Sequence, residues 1–408
     1  MKKGWETKTI GDVCEFQRGL TYAKGDEVDV SGNVVLRATN IDLATNLLIF
    51  DELKYISDKV VVPESKKVKK GSLMICTASG SKSHLGKVAF IDDDYGFAFG
   101  GFMGMLTPLN GLLPRYLFHL MTSEDYKDFI GAISDGANIN NLTFDNLKRF
   151  PVPLPPLPEQ QRIVGLLDEA FAGLAIAKAN AEKNIQNARA LFESHLQSVF
   201  TQRGKGWVEK RLKDVCEKIT DGTHHSPQTQ FPSRVPGTFP YITSKNIRNN
   251  FMDLSKMAYI ERAFHDEVYA RCKPCLGDVL LTKDGANTGN VTLNTIDEPF
   301  SLLSSVCLIK TNQAVLKPDF LCFYLQSSAG LSAILGQMSG AAIKRIVLKD
   351  IKMAVIPFPL LKEQNAIAGM LNSLLAGTER LAAIYSRKLV ALEALKKSLL
   401  NQAFTGEL

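Results

Sequence analysis

The sequence has no long apolar run and few cysteines. No stretch approaches the roughly 18 to 20 uninterrupted apolar residues that a helix needs to cross a bilayer. Residues 1–30 show no basic segment followed by an apolar run and a small-residue cleavage site. The seven cysteines are an odd number spread over 408 residues, which is not the pattern of a disulfide framework. We therefore expect a cytoplasmic protein with reduced thiols and no membrane association.

Motifs of catalysis and of cofactor binding are also missing. The glycines of 99–104 do not follow the G-x-G-x-x-G pattern, and no phosphate-binding G-x-x-x-x-G-K-[ST] occurs. Neither an Asn/Asp-Pro-Pro-aromatic methyltransferase motif nor an acidic metal cluster is found. Cys272 and Cys275 have zinc-knuckle spacing but no second pair, and His224-His225 has no third ligand. We expect a non-catalytic chain without a cofactor or a metal site.

Composition and charge leave the binding partner open. The formal net charge of +6 permits nucleic-acid binding without requiring it. Hydrophobic residues make up 45% of the chain and charged residues 22%, which is ordinary for a globular protein. This much apolar material predicts two or three domains.

The main feature that is present is an internal repeat at an offset close to 204 residues. This period is far longer than a solenoid unit, so it implies the duplication of a whole module made of a domain and a helix. The clearest matches are Gly4-Trp5 with Gly206-Trp207, Arg37-Ala38-Thr39-Asn40-Ile41 with Thr243-Ser244-Lys245-Asn246-Ile247, Pro114-Arg115-Tyr116-Leu117 with Pro318-Asp319-Phe320-Leu321, Glu159-Gln160 with Glu363-Gln364, and Phe200-Thr201 with Phe404-Thr405.

Each half has the same three parts. About 150 residues contain short β-branched runs punctuated by glycine and asparagine, with one local helix predicted near 114–129 and its counterpart near 318–335. A proline-rich hinge follows, at 151–158 and at 357–359, and proline predicts an extended lead into a helix. We predict an α+β fold with mixed domains at 1–155 and 204–358, each followed by a hinge and a long helix, at 156–203 and 359–408.

The third part is a long helical tract at 159–201 and again at 363–404. Apolar residues recur in each tract at intervals of three, four and seven. The predicted stripes are Ile163, Leu167, Leu174, Ala181, Ile185, Ala188, Phe192 and Val199, and Ile367, Leu371, Leu374, Leu381, Tyr385, Leu392, Leu395 and Leu399. We expect the two helices to pack antiparallel as a coiled-coil pair with a pseudo-two-fold axis. The alternative is that each helix packs only on its own domain.

These residues resemble the specificity subunits of type I restriction-modification systems, and the resemblance covers the whole chain. The most specific match is the domain-to-helix junction, which runs from Gly136-Ala137-Asn138-Ile139-Asn140-Asn141-Leu142 to Glu159-Gln160-Gln161-Arg162-Ile163-Val164. Residues 219–227, Ile-Thr-Asp-Gly-Thr-His-His-Ser-Pro, resemble a common start of the second domain. The second junction departs from the pattern, because Pro359-Leu360-Leu361-Lys362-Glu363-Gln364 has fewer prolines.

The resemblance implies a subunit that binds double-stranded DNA and reads two half-sites separated by unspecified base pairs. It also implies two modification (methyltransferase) subunits and motor-nuclease restriction subunits as partners. S-adenosylmethionine, ATP and Mg²⁺ are then expected on those partners. Two other interpretations are a methyltransferase or nuclease with built-in specificity, and a coiled-coil adaptor that binds only protein.

Candidate DNA contacts are polar residues in predicted loops, because Arg and Lys recognise guanine and Asn and Gln recognise adenine. In the first domain they are Arg37, Thr39, Asn40, Lys82, Ser83, His84, Asn138, Asn140 and Asn141. In the second domain they are Thr223, His224, His225, Lys245, Asn246, Arg248, Lys283, Asn287, Lys344 and Arg345. The alternative for each is a turn residue bonded to its own backbone or a solvated charge. The same choice applies to the basic run 66–70, as a phosphate grip or a solvated face.

Overall fold

A computed structural model describes residues 4–80, 84–135, 141–335 and 345–408. The chain forms two compact units. Unit 1 contains Met1–Glu182 and Arg387–Leu408, and unit 2 contains Lys183–Ser386. Within the described ranges, no helix combines the length and apolarity that crossing a bilayer requires.

The first half of the chain alternates short strands and helices before one long helix. Its strands are β1 Glu6–Thr9, β2 Cys14–Arg18, β3 Glu27–Val28, β4 Asn33–Leu36, β5 Lys54–Ile56, β6 Leu73–Cys76, β7 Val88–Phe90, β8 Ala98–Phe99, β9 Met103–Pro108 and β10 Pro151–Leu154. Its helices are α1 Ile10–Val13, α2 Pro114–Leu120, α3 Glu124–Asp135, α4 Phe144–Leu147 and α5 Leu157–Thr201.

The second half follows a similar order, but its helix α6 stands where the first half has only a 3-10 turn, Glu64–Lys66, and a 3-10 turn at Leu212–Asp214 stands in place of α1. Its strands are β11 Val208–Arg211, β12 Cys216–Asp221, β13 Thr238–Ile242, β14 Ile247–Arg248, β15 Phe251–Met252, β16 Ala258–Glu261, β17 Val279–Thr282, β18 Val291–Leu293, β19 Ser301–Leu302, β20 Val306–Thr311 and β21 Val355–Phe358. Its helices are α6 Arg262–Cys272, α7 Pro318–Gln326, α8 Ser328–Leu335, α9 Leu348–Met353 and α10 Leu361–Thr405.

Each unit contains an antiparallel four-stranded sheet of the same topology. The order is β2-β9-β6-β7 in unit 1 and β12-β20-β17-β18 in unit 2. A second sheet has the order β3-β5-β4-β8 in unit 1 and β16-β13-β19 in unit 2, and it ends in a parallel pair in both units. The predicted mixed helix-and-sheet fold with two similar halves is confirmed.

The proline-rich hinges are edge strands. Pro151–Leu154 pairs antiparallel with Glu6–Thr9, and Val355–Phe358 pairs with Val208–Arg211. Proline lacks a backbone donor and is therefore tolerated at sheet edges. The long helices follow at once, at Leu157–Thr201 and Leu361–Thr405, which confirms the predicted extended leads and helical tracts.

The local helix predicted in each half is two helices. In unit 1, α2 ends before α3 begins at Glu124, and in unit 2 Ser327 separates α7 from α8. The hydroxyls of Ser123 and Ser327 each donate to a carbonyl three residues earlier, at 2.7 and 2.6 Å. Serine competes with the helical backbone in this way, which explains the break that hydrophobic periodicity alone did not indicate.

Each unit buries the start of one long helix and the end of the other. In unit 1 the core contains Ile163 and Leu167 of α5 together with Leu400 and Phe404 of α10. Lys178 Nζ lies 3.3 Å from Glu393 Oε1, so the first half of α5 contacts the second half of α10.

The core of unit 2 has the corresponding arrangement. Phe192 and Phe200 of α5 pack with Ala368 and Leu371 of α10. The ring nitrogen Nε2 of His195 lies 3.5 Å from the sulfur of Met370. Within each unit the two helical segments therefore run antiparallel.

A glutamine fixes the start of each long helix to its domain. The Gln160 carboxamide accepts from Leu113 N at 2.8 Å and donates to Gly111 O at 2.8 Å and to Pro155 O at 2.9 Å. Gln364 makes the same three bonds, to Lys317 N, Val315 O and Pro359 O. Both side chains are fully buried, so the repeated Glu-Gln pair includes a structural clamp.

The predicted apolar stripe of α10 is displaced by one residue in two places. Leu381 and Leu395 are 44% and 47% exposed. The neighbouring Ala382 and Lys396 are partly buried instead. Both are separated from buried Ala368 and Ala403 by multiples of seven residues. The stripe prediction chose the leucines, whereas the less exposed positions hold a small alanine and a lysine.

Candidate nucleic-acid interface

Loop segments far apart in sequence converge in unit 1 around 99–103. Leu20 N donates to Phe99 O at 2.7 Å, and Gly100 N donates to Leu36 O at 2.9 Å. Thr77 N donates to Phe102 O at 2.9 Å and Leu142 N to Thr77 O at 2.7 Å. We call this assembly loop cluster 1. It comprises residues 19–21, 37–40, 77–78, 99–103 and 141–142.

The equivalent segments of unit 2 converge around 302–306. Thr223 N donates to Leu302 O at 2.8 Å, and Ser304 N donates back to Thr223 O at 2.8 Å. Lys283 N donates to Ser305 O at 2.9 Å, and Ile346 N donates to Lys283 O at 2.8 Å. We call this assembly loop cluster 2. It comprises residues 221–225, 243–248, 283–288, 302–306 and 345–346.

A glycine at the centre of each loop cluster is required by close backbone approach. A Cβ on Gly19 would lie 1.9 Å from Gly100 O, and a Cβ on Gly222 would lie 2.0 Å from Leu302 O. No side chain tolerates such a contact with a backbone carbonyl. The glycine of the Thr-Asp-Gly-Thr segment is therefore needed for the geometry of the loop cluster.

Two predicted contact residues, Asn40 and Asn246, are structural in this conformation. Asn40 Oδ1 accepts from Arg37 N at 2.8 Å, and its amide donates to two further carbonyls. Asn246 Oδ1 accepts from Thr243 N at 3.0 Å, and Nδ2 donates to Asp253 O at 3.0 Å. Both are 3% exposed or less. Their recurrence in both halves follows from this shared turn.

The buried carboxylate of Asp221 organises loop cluster 2. Its Oδ1 accepts from Arg271 Nη2 at 2.5 Å. Its Oδ2 lies 3.3 Å from Lys283 Nζ and 3.3 Å from His224 Nε2. Burial alone would raise the pKa of Asp221, but the hydrogen bond from Arg271 and the charge of Lys283 outweigh burial and hold that pKa below its usual value. One carboxylate therefore faces two basic side chains, those of Arg271 and Lys283.

Three other candidates of the second domain also have partners within loop cluster 2. The Asn287 amide donates to Ser244 O at 3.1 Å. Arg345 Nε lies 3.5 Å from Asp284 Oδ2, and Arg345 is exposed. The hydroxyl of buried Thr223 accepts from His225 N at 3.1 Å.

The remaining candidates of this domain differ in the solvent exposure and the partners of their side chains. Lys245 and His225 are exposed. Arg248 is half-buried, with Nη1 donating to Ile247 O at 2.9 Å and Nη2 lying 3.5 Å from Asp253 Oδ2. Lys344 lies outside the described residues.

The candidates of the first domain that can be placed border loop cluster 1. Arg37 and Thr39 line a cavity of about 530 Å³ together with Tyr22 and Phe102. The Arg37 Nε is buried and has no hydrogen-bond partner among the described residues. Asn141 is exposed and bridges to Ala78.

Of the other candidates of this domain, only His84 lies within the described residues. His84 is half-buried, and its Nδ1 is a buried nitrogen without a partner in the described part of the chain. The candidates Lys82, Ser83, Asn138 and Asn140 lie outside the described residues.

The basic run 66–70 is largely paired within the protein. Lys66 Nζ donates to Arg18 O at 2.8 Å, and Lys67 Nζ lies 2.8 Å from Glu64 Oε2. Lys70 Nζ lies 3.8 Å from Asp93 Oδ1. Lys69 is exposed. These contacts are typical of a solvated face rather than of a dedicated phosphate grip.

Sequence reasoning missed three features of the loop clusters. Arg271 comes from α6, where the first half has only the short 3-10 turn Glu64–Lys66, so the self-alignment could not single it out. Phe102 is 74% exposed although it is aromatic, and its counterpart at an offset of 203 is Ser305. The segment 302–306 reads as ordinary strand sequence, and only its backbone bonds show its central position.

Comparison with known families agrees with the repeat. The family described as "Type I restriction modification DNA specificity domain" matches residues 2–187 and again residues 204–386. The chain belongs to this family. The family predicted from the sequence is confirmed.

Curated relatives of the family match along the full chain. The EcoKI specificity subunit of the type I restriction enzyme from Escherichia coli K12 is 26% identical over 432 residues, which covers 100% of this chain and 90% of the relative. The putative MjaX specificity subunit from Methanocaldococcus jannaschii is 25% identical and covers 99% of this chain and 93% of the relative. Both are named as specificity subunits of restriction enzymes.

Solved structures show the same fold. A chain from a study of complex assembly and conformational transition of the type I R-M system superposes with a TM-score of 0.80 at 19% identity, over 100% of this chain and 99% of the other. The HsdS subunit from Thermoanaerobacter tengcongensis superposes with a TM-score of 0.63 at 19% identity, over 100% and 98% of the two chains.

Proposed function

We propose that this protein is the DNA-reading specificity subunit of a type I restriction-modification complex, with one half-site read by each recognition domain. The observation that carries the proposal is the pair of loop clusters, which have matching backbone frames and different side chains. A split, asymmetric target needs two readers of this kind. The subunit has no catalytic role, and S-adenosylmethionine, ATP and Mg²⁺ belong to its partners.

The recognition domains comprise 1–155 and 204–358, and the hinge-helix segments 156–203 and 359–408 form an antiparallel spacer between them. The antiparallel contacts inside each unit support this arrangement. At ~1.5 Å per residue, helices of 45 residues are long enough to set a distance of about two DNA helical turns. The repeated helices and hinges provide equivalent docking surfaces for two modification subunits, and restriction subunits complete the complex in the cytoplasm.

The DNA contacts belong to loop clusters 1 and 2 and to the adjoining loops. We retain as contacts Arg37, Thr39, Lys82, Ser83, His84, Asn138, Asn140, Asn141, His224, His225, Lys245, Arg248, Asn287, Lys344 and Arg345. Buried Asn40, Asn246, Thr223 and Lys283 are assigned to support these loops. Their side chains are already bonded within the protein.

The decisive test is reconstitution with the cognate methyltransferase subunit and S-adenosylmethionine, followed by mapping of methylated adenines on genomic DNA. We expect a single bipartite motif with two defined halves. Methylation without a shared motif would contradict the proposal. Binding of S-adenosylmethionine to the isolated chain would favour an enzyme, and binding of protein partners without selective DNA binding would favour an adaptor.

The spacer is tested separately by deleting seven residues from each long helix. Removal of matched heptads preserves the antiparallel seam and shortens the pair by ~10 Å, or about three base pairs. We expect the same two half-site sequences with fewer base pairs between them. Unchanged spacing would refute the spacer role without affecting the assignment of the readers.

A further inference from the structure

Arg271 is held rigidly at the edge of loop cluster 2. It lies in the last turn of α6, Arg262–Cys272. Its Nε donates to Asp221 O at 2.8 Å, and its Nη2 donates to Asp221 Oδ1 at 2.5 Å. A guanidinium has five N–H groups. The described residues provide no partner for Nη1, and the side chain is 46% exposed, so one end of the fork is available to a ligand.

The group that holds Arg271 is itself fixed. The Asp221 side chain is only 5% exposed, and its second oxygen lies 3.3 Å from the Nζ of buried Lys283. Gly222 follows directly and cannot accept a side chain, because Leu302 O would lie 2.0 Å from its Cβ. The backbone and the carboxylate that orient Arg271 therefore cannot shift independently of loop cluster 2.

In the first half a lysine, not an arginine, binds the equivalent backbone carbonyl. Lys66 Nζ donates to Arg18 O at 2.8 Å, and Arg18 precedes Gly19 as Asp221 precedes Gly222. Lysine supplies a point charge, whereas arginine supplies a planar fork. The second half therefore adds directionality to a position that both halves keep basic.

We propose that Arg271 reads a guanine in the half-site of the second recognition domain and that Asp221 is its positioning residue. The proposal rests on the proposed function and names a contact within it. A planar guanidinium with a free edge matches the O6 and N7 acceptors of guanine in the major groove. The same fork can bind a phosphate, so the test must separate the two ligands.

The first experiment maps methylation motifs for the reconstituted complex with Arg271→Gln, Arg271→Lys or Asp221→Asn. We expect about 10- to 100-fold lower discrimination at one G·C pair in one half-site, with the other half-site unchanged. Arg271→Lys should not restore discrimination, because it lacks the fork. Arg262→Gln removes an exposed arginine from the same helix and should leave the motif unchanged.

The second experiment modifies the DNA and leaves the protein intact. Replacing each guanine of that half-site by 7-deazaguanine removes the N7 acceptor. We expect about tenfold weaker binding of the wild-type complex at one position, and no further loss in Arg271→Gln. Because the 7-deazaguanine experiment uses the wild-type protein, it tests the guanine contact even if a variant folds poorly.

Each result has one meaning. A uniform loss of affinity for all sequences would identify a phosphate contact and overturn the guanine assignment, if the slope of log affinity against log salt concentration also fell by about one. An unchanged motif in all three variants, with no 7-deazaguanine effect, would refute the role of Arg271 alone. Absence of any motif with the wild-type complex would instead contradict the proposed function.

Discussion

The two loop clusters share a backbone frame and differ in the side chains that the frame presents. Gly19 and Gly222 make the same close approach, and Gln160 and Gln364 make the same three hydrogen bonds. By contrast, loop cluster 1 exposes Phe102 where loop cluster 2 has Ser305. The two halves therefore share their backbone scaffold and differ in the side chains that are available to a ligand.

Breaking the shared frame should give the largest effect. Gly19→Ala or Gly222→Ala places a methyl group on a backbone carbonyl, so the two backbone segments must move apart, at a cost on the order of 3 kcal/mol. We expect each variant to lose the sequence preference of its own half-site. Motif mapping with the reconstituted complex measures this.

Gly25→Ala is the matched control, because its Cβ would meet nothing within 4 Å. It should leave stability and motif unchanged. If Gly19→Ala and Gly222→Ala behaved like Gly25→Ala, the close approach would not be a requirement of the frame.

The glutamine clamps should come next. Gln160→Ala leaves Leu113 N and two carbonyls without their partner, and unsatisfied buried polar groups are costly. We expect unit 1 to lose about 3 kcal/mol of unfolding free energy, and Gln364→Ala to have the same effect on unit 2. Hydrogen exchange of each unit measures the loss, with exposed Gln161→Ala as the control.

How far the sequence determined these features differs between the helices and the loops. The long helices were predicted within two residues of their observed starts, Leu157 and Leu361, because proline and periodicity act locally. The convergence on 99–103 and 302–306 depends on backbone bonds between distant segments, which leave no local pattern. The matched Asn40 and Asn246 show the same limit, since recurrence alone did not separate a turn from a DNA contact.

A pH effect should distinguish the units. Burial lowers the pKa of His119 to about 4, although its hydrogen bond to Asp168 favours the charged form. The unfolded chain takes up this proton below about pH 6.5. Stabilisation by neutral His119 is therefore complete above pH 6.5 and is lost as the pH falls toward 4. The counterpart of His119 in unit 2 is Phe323.

We expect unit 1 to lose about 2 kcal/mol of unfolding free energy between pH 6.5 and 4.5, and His119→Phe to remove this loss. Hydrogen exchange of α2 at several pH values provides the measurement. The pKa of Asp168 is lowered, so that group titrates below the window. An equal loss with His119→Phe would assign the effect to another group.

The smallest expected effect concerns the exposed aromatic that separates the two loop clusters. The backbone of Phe102 is anchored, since its carbonyl accepts from Thr77 N and Ala78 N, while its ring projects from the protein. An apolar side chain so placed can contact a thymine methyl group or wedge between base steps. Phe102→Ser, which copies Ser305, should weaken binding to the mapped target about tenfold and change stability by no more than about 0.5 kcal/mol. Fluorescence anisotropy at fixed salt measures the affinity, with Val30→Ala as an equally exposed control outside loop cluster 1. Unchanged affinity would mean that Phe102 does not contact DNA, and the contrast between the loop clusters would then rest on the charged groups of loop cluster 2.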